Sequence, residues 1–79
     1  MLNLKDAKQR QFYTISGYAQ QIPFKNKRRL LELGLTLGQK VRLLRKSLLK
    51  KAYLIEVRGY VLSLRSDLAS FILLRGQNG

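Results

Sequence analysis

The sequence predicts a small, mostly β, single-domain protein in which five short strands form a barrel, with one short helix after strand one and a one-turn helix before the last strand. Three observations indicate this class. Polar and apolar residues alternate over several short stretches, as they do in half-buried strands. Glycines stand between those stretches, where turns are required. The chain has 79 residues, 46% of them hydrophobic, which suffices for one compact core. Barrel closure would remove the exposed edges of the outer strands.

The first strand is predicted over Phe12 to Tyr18, FYTISGY. Tyr13 and Ile15 fall on one face of an extended chain, which is the spacing of a half-buried strand. Gly17 lies inside this stretch, and an isolated glycine in a strand indicates a bulge or a bend. We therefore expect the strand to be distorted near its end.

A short helix is predicted over Lys25 to Leu33, after Pro23, which cannot continue a sheet ladder. Leu30 and Leu33 are spaced to lie on one helix face, and Gly34 is placed to end the helix in a left-handed conformation. The basic residues crowd the N-terminal half, where the helix dipole disfavours positive charge. Helix propensity therefore does not explain them.

Strand two is predicted over Lys40 to Lys46, after a turn at Gly38. Val41 and Leu43 would face inward, and Arg42 would lie on the opposite face. This alternation makes the stretch a second half-buried strand.

Strands three and four are predicted over Lys51 to Val57 and Tyr60 to Arg65, joined by the tight turn Arg58-Gly59. Leu62 and Leu64 would form the inner face of strand four. These two strands would make an antiparallel hairpin.

Ser66 is predicted to cap one helical turn, with Asp67 near its N-terminus, before a last strand over Phe71 to Leu74. The expected organisation is one domain over 1–75 followed by a disordered tail over 76–79.

Composition excludes most catalytic chemistry. The chain has no His and no Cys. Its acidic residues are dispersed along the chain next to cations: Asp6, Glu32, Glu56 and Asp67. No phosphate-binding glycine motif is present. We therefore predict no catalytic residue, no metal site and no cofactor, and we interpret the chain as a binding protein rather than an enzyme.

Net charge is the unusual quantity, because 16 Lys and Arg face only 4 acids, giving +12. Such a chain attracts polyanions, and a nucleic acid, an acidic protein face and an anionic membrane surface all qualify. A role in solubility alone also fits the charge. Charged residues interrupt the N-terminal stretch, and no apolar run approaches the roughly 20 residues that span a bilayer. We therefore expect a cytoplasmic protein without a membrane span.

Two motifs resemble the ferrous iron transport protein A (FeoA) family. Arg28 to Gly38, RRLLELGLTLG, resembles that family's helix ending in Leu-Gly, followed by an apolar residue and a second Gly before a strand with Val. Gly59 to Arg65, followed by Ala69 and Ile72, resembles its closing strand, helical turn and strand. The resemblance covers most of the chain and implies a small SH3-like five-stranded barrel.

The resemblance also implies a function: an accessory protein of ferrous iron uptake that binds the cytosolic GTPase region of the ferrous iron transporter, and is thereby held near the inner membrane. The basic helix and the basic side of strand two could meet an acidic patch on that partner. The predicted partner-binding residues are Lys27, Arg28, Arg29, Arg42, Arg45, Lys46, Leu48 and Leu49.

The loop between strands two and three, Ser47 to Lys51, departs from the Pro-Leu-Gly-Asp-Pro-like loop of many family members. Leu48 and Leu49 could pack inward, which is the commoner outcome for a Leu pair. They could instead form an exposed apolar tip that anchors a partner or a homo-oligomer contact.

Two other functions are compatible with the sequence. A basic small barrel could bind nucleic acid, because aromatic residues are interleaved with the cations, although most of these aromatics are predicted to be core. They are Phe12, Tyr13, Tyr18, Phe24, Tyr53 and Tyr60. The domain also resembles the SH3-like appendage of metal-dependent repressors, which would make it an interaction arm.

Overall fold

The computed structural model describes residues 2–47, 49 and 51–76. A 3₁₀ helix, Leu4–Asp6, precedes the predicted elements. The strands and helices are β1 Phe12–Tyr18, α1 Phe24–Glu32, β2 Lys40–Lys46, β3 Ala52–Val57, β4 Tyr60–Arg65, α2 Ser66–Ala69 and β5 Ile72–Gly76. The predicted class, mostly β with five strands and two short helices, is confirmed.

All five strands belong to one antiparallel sheet with the order β4-β3-β2-β1-β5. The sheet is curled like a barrel but it is not closed, because β4 and β5 remain its two edges. The N-terminal segment covers part of the β5 edge: Asn3 forms a bridge with Leu73, and the Leu74 N–H donates to the Leu2 carbonyl at 2.8 Å. The β5 edge is thus protected in part by the N-terminal segment that pairs with it, and not by closure of the barrel.

Two irregularities shape the sheet. The register between β1 and β5 shifts between Ile15 and Gly17, which confirms the bulge predicted at the glycine. A second shift, between Leu43 and Arg45 of β2 against β3, was not expected from the sequence. A bulge places two residues opposite one and so reverses the alternation beyond it.

The core lies between the curled sheet and the segments that cover it. Leu30 of α1 and Leu35 after it are fully buried, together with Leu43 and Ile55 of the sheet. The 3₁₀ helix adds Leu4 to this core, a contribution that sequence periodicity does not reveal because the element has a single turn. The helix α1 is therefore anchored on the barrel by its leucines, as predicted.

The observed bounds differ from the predicted ones in four elements, α1, β3, α2 and β5, and β3 begins at Ala52 rather than at Lys51. Helix α1 begins and ends one residue earlier than expected. Ser66 is the first residue of α2 rather than its cap, because Arg65 occupies the cap position and makes no side-chain bond there. Strand β5 runs to Gly76, which pairs with Tyr13, although Gly76 was expected in the tail. The remainder of the predicted tail, 77–79, lies outside the described residues.

Candidate partner-binding surface

The C-terminus of α1 is closed by a Schellman motif. Gly34 has a φ of +88°, the Leu35 N–H donates to the Leu30 carbonyl at 3.0 Å, and the Gly34 N–H donates to the Leu31 carbonyl at 3.0 Å. The left-handed glycine predicted from the sequence is therefore present. It fixes the direction in which the chain leaves the helix.

Two tyrosines from the sheet hold this same turn. The Tyr18 hydroxyl of β1 donates to the Leu35 carbonyl at 2.5 Å, and the Tyr60 hydroxyl of β4 donates to the Leu33 carbonyl. Burial raises the pKa of Tyr18 above its usual value of 10.0. The turn after α1 is thus tied to β1 and to the edge strand β4, which holds the polar face of α1 in a fixed position.

The exposed face of α1 carries four cations and a single carboxylate. Arg28 and Arg29 share Glu32, with nitrogen to oxygen distances of 3.5 and 3.9 Å, and all three side chains are more than half exposed. Lys27 extends over the ring of Tyr18, with its ammonium 5.5 Å from the centroid. Exposed ion pairs of this kind contribute little stability, so the arginines are free to exchange Glu32 for a partner's carboxylate.

The predicted basic side of β2 is divided by the bulge. Arg45 pairs with the half-buried Leu54, whereas Lys46 pairs with the buried Tyr53 and so lies on the other side of the strand. The Lys46 ammonium donates to the Lys5 carbonyl at 2.9 Å and lies 5.8 Å from the Tyr53 ring centroid. Arg42, Arg45 and Lys46 therefore do not share one face, contrary to the prediction.

Arg42 is also engaged within the molecule. Its Nη2 lies 2.7 Å from Oε1 of Glu56, and its Nε donates to the same oxygen at 2.9 Å. Its guanidinium lies 4.9 Å from the centroid of the Phe12 ring. Of the three β2 cations predicted to bind a partner, Arg42, Arg45 and Lys46, only Arg45 is exposed; the fourth β2 cation, Lys40, is exposed too.

The β2–β3 turn is described at Leu49, whose side chain is 74% exposed, while Leu48 lies outside the described residues. Inward packing, the commoner outcome considered above, does not hold for Leu49. This residue forms the exposed apolar tip that was the other alternative.

The six aromatic residues that the sequence analysis considered for nucleic-acid binding divide evenly between core and surface, although most of them were expected in the core. Tyr13 and Tyr53 are buried, and Tyr18 packs against the core. The other three of the six are exposed: Phe12, Phe24 and Tyr60.

Sequence analysis did not identify a groove on the outer face of the sheet. The groove has a volume of about 360 Å³ and is lined by Phe12 of β1, Lys40 and Arg42 of β2, Glu56 of β3 and Arg58 in the hairpin turn. Phe12 and Arg42 face each other across the strand pair. The sequence alternation predicts that Phe12 and Arg42 both point outward, but that they are opposite each other becomes evident only when the register of β1 and β2 is known.

The described ranges contain no group of three or more His, Cys, Asp or Glu side chains that could hold a metal ion. No helix in the described part of the chain is long and apolar enough to cross a bilayer.

Fold and surface together define a class: a small SH3-like domain with a basic exterior. The FeoA domain family matches residues 2–76, and the chain belongs to that family. FeoA is an accessory family linked to ferrous iron transport and is not known as an enzyme family. The resemblance found in the sequence is thus confirmed over nearly the whole chain.

Solved structures agree with this assignment. FeoA from Chlorobium tepidum matches with a TM-score of 0.86 and 26% identity, over 99% of this chain and 72% of that chain. FeoA from Stenotrophomonas maltophilia, solved with zinc, matches with a TM-score of 0.80 and 21% identity over 95% of this chain and 91% of that one. It is described as an SH3 domain protein and a candidate ferrous iron transport activating factor, and at this identity the likeness shows the fold alone.

A similar domain also occurs inside a longer protein. The manganese regulator SloR matches with a TM-score of 0.80 and 27% identity, over 95% of this chain but 34% of that chain. No curated protein matches the chain.

Proposed function

We propose that the protein is a cytoplasmic accessory factor of ferrous iron uptake that binds the cytosolic GTPase region of the ferrous iron transporter and modulates transport. Membership of the FeoA family over residues 2–76 carries this proposal. The description of the Stenotrophomonas maltophilia protein as a candidate transport activating factor supports it.

The exposed face of α1 is the docking surface in this proposal. Arg28 and Arg29 are 69% and 59% exposed and share one carboxylate, so binding an acidic patch would replace a weak internal contact with a stronger external one. Arg45 and Leu49 supply exposed charge and apolar area near the β2–β3 turn. Arg42 and Lys46 play no direct part, because their cations already contact Glu56 and the Lys5 carbonyl.

Titration calorimetry between the full chain and the purified cytosolic GTPase region tests the proposal. The double variant Arg28→Gln/Arg29→Gln should bind about fivefold to tenfold more weakly at low salt, because rim charges add modestly to affinity and to encounter rate. The matched control is Lys5→Gln/Arg75→Gln, which removes the same charge from exposed positions in the 3₁₀ helix and β5, outside the proposed surface. Equal binding by parent and Arg variant would remove α1 from the interface, and no binding by the parent would overturn the proposal.

Self-association through the exposed Leu49 is a separate part of the proposal. Sedimentation of the parent and of Leu49→Ser over a range of concentrations measures it. A concentration-dependent dimer that the variant loses supports this contact, and a monomer at every concentration rules it out.

Binding to nucleic acid remains the alternative that the net charge of +12 favours. A salt titration against single-stranded and duplex DNA tests this alternative. Tight binding that persists at physiological salt and falls steeply above it, as counterions are released, would support it. Weak, sequence-independent retention would leave the transporter as the partner.

A further inference from the structure

The groove on the outer face of β1, β2 and β3 has a defined construction. Tyr13, Val41 and Val57 point into the core, so their neighbours Phe12, Arg42 and Glu56 point outward. The Phe12 ring is 43% exposed and is flanked by two cations, the Arg42 guanidinium at 4.9 Å and the Lys40 ammonium at 5.5 Å from its centroid. The groove thus combines an exposed ring with fixed positive charge.

Two of the cations in the groove form no ion pair with a carboxylate of the described residues. Arg42 is neutralised by Glu56, which it meets through two nitrogens. Lys40 and Arg58 are exposed, and no carboxylate among the described residues forms an ion pair with either. Gly59 beside Arg58 has open space around it, since a Cβ there would meet nothing within 4 Å. An extended backbone can therefore approach the groove at this rim.

We propose that this groove binds an acidic, extended segment of a partner protein. Carboxylates of the segment contact Lys40 and Arg58, and an apolar side chain on the same face of the segment, two residues from a carboxylate, lies on the exposed part of the Phe12 ring. A volume of about 360 Å³ accommodates a few side chains rather than a folded surface. The exposed cations of the groove, Lys40 and Arg58, select an acidic occupant for it.

The same groove is poorly suited to nucleic acid. A base that stacks needs a whole free aromatic face. The Phe12 ring carries Arg42 and Lys40 and leaves only part of its surface exposed, which is enough for a smaller apolar side chain. Glu56 also places a carboxylate in the wall, where a continuous run of phosphates would pass. A segment that alternates acidic and apolar side chains can avoid Glu56, whereas a polyphosphate chain cannot.

This inference goes beyond the proposed function, because it concerns the groove and not α1, and it holds whichever protein carries the segment. The test uses the ¹⁵N-labelled full chain and the N-acetylated octapeptide Glu-Ser-Val-Ser-Glu-Ser-Val-Ser, the Glu-Val peptide. Its Glu and Val residues alternate on one face of an extended chain, and the β-branched Val favours that form. A Gln-Val octapeptide is the control ligand. We expect saturable amide shifts centred on residues 39–42 and 58–59 with the Glu peptide alone.

Two charge-matched variants locate the site. Lys40→Gln/Arg58→Asn should bind the Glu-Val peptide about tenfold more weakly; Asn is chosen because Arg58 has a φ of +55°, which Asn tolerates. Lys5→Gln/Lys51→Gln removes equal charge and should bind like the parent. Lys51 precedes β3, about 20 Å along the strand from Arg58, and Lys5 lies near the end of β2 through its bond to Lys46.

A third variant tests the role of the ring. Phe12→Ala should weaken the Glu-Val peptide more than a Glu-Ser peptide, since only the former has an apolar side chain to place on the ring. Thermal melting of each variant checks that the fold is retained. If the double variant Lys40→Gln/Arg58→Asn melts early, Lys40→Gln alone replaces it.

Four results would overturn the proposal. They are no saturable shift with the Glu peptide, equal weakening by both charge-matched variants, equal binding of the Gln peptide, and tighter binding of an oligothymidylate at the same amides. A failure of this kind leaves transporter binding through α1 intact, because no transporter fragment enters the experiment.

Discussion

The segment from Leu30 to Gly38 and the groove around Phe12 are built in opposite ways. In the segment, leucines that are close in sequence, Leu30 and Leu35, pack into the same core. Gly34 completes the Schellman motif, whose hydrogen bonds join residues within five positions of each other. The groove joins side chains from β1, β2, β3 and a hairpin turn, and its residues are far apart along the chain. The first region specifies the fold through local packing, whereas the second acquires its chemistry only after the sheet has formed.

Among substitutions in the Leu30 to Gly38 segment, Leu30→Ala should lower the stability of the fold most. The side chain is fully buried, so its truncation should lower the free energy of unfolding by about 2–5 kcal/mol through lost contacts and a cavity. Denaturant unfolding measures the change. The neighbouring Leu31→Ala is the control, because Leu31 is 44% exposed and should cost well under half as much. Equal losses would show that α1 is not anchored through Leu30.

Gly34→Ala should rank second, with a loss of about 2–3 kcal/mol. The backbone of Gly34 is left-handed, which disfavours a residue with a Cβ. The added Cβ would also lie 2.9 Å from the Tyr60 hydroxyl, which must then move away from the Leu33 carbonyl. Gly38→Ala isolates the backbone part, because its φ is +82° but its Cβ meets nothing within 4 Å, and about 1–2 kcal/mol is expected. Thermal and urea unfolding compare the two. A larger loss at Gly38 would contradict the account of the Tyr60 contact.

Tyr18→Phe should cost about 1 kcal/mol at neutral pH, because it removes the hydroxyl that donates to the Leu35 carbonyl. Burial raises the pKa of Tyr18 in the folded state, so the parent's extra stability is present below pH 10 and is lost as the pH rises through the folded pKa. Unfolding curves of parent and variant should therefore converge in strong alkali. A difference that stays constant across this range would contradict the coupling.

The smallest expected effect is the difference in coupling energy between the Arg42–Glu56 and Arg28–Glu32 ion pairs. A double-mutant cycle on Arg42 and Glu56, whose side chains are each 34% exposed and lie 2.7 Å apart, should give a coupling of about 1 kcal/mol. The same cycle on Arg28 and Glu32, which are 3.5 Å apart and more exposed, should give about 0.3–0.5 kcal/mol. Equal couplings would mean that Arg42 is as available to a partner as Arg28.

Much of the fold was readable from the sequence because its signals are local. The hairpin turn at Arg58-Gly59, where both residues have positive φ, and the glycine after α1 were both predicted from residue type. The 3₁₀ helix was missed because one turn has no periodicity, although it brings Leu4 into the core. Ser66 resembled a cap by composition, but the strand continues to Arg65 and places Ser66 inside the helix.

The binding surface was less readable because it depends on register. The bulge after Leu43 shifts Lys46 to the side of Tyr53, and nothing in the stretch KVRLLRK marks where alternation reverses. Phe12 was one of six aromatics most of which were expected in the core, and it points outward beside Arg42 because it is the neighbour of the buried Tyr13 in β1. The likeness to the FeoA family supplied the partner, and only the folded chain distinguishes cations that are already engaged from those that are exposed.

The most direct test of partner binding by this basic surface is an amide-shift map of the ¹⁵N-labelled full chain with the unlabelled GTPase region of the transporter. The account predicts changes concentrated at residues 27–29 of α1 and near Arg45, with the amides of β5 and the 3₁₀ helix unchanged. Changes confined to β5 and the N-terminal segment, or none at saturating partner, would contradict it.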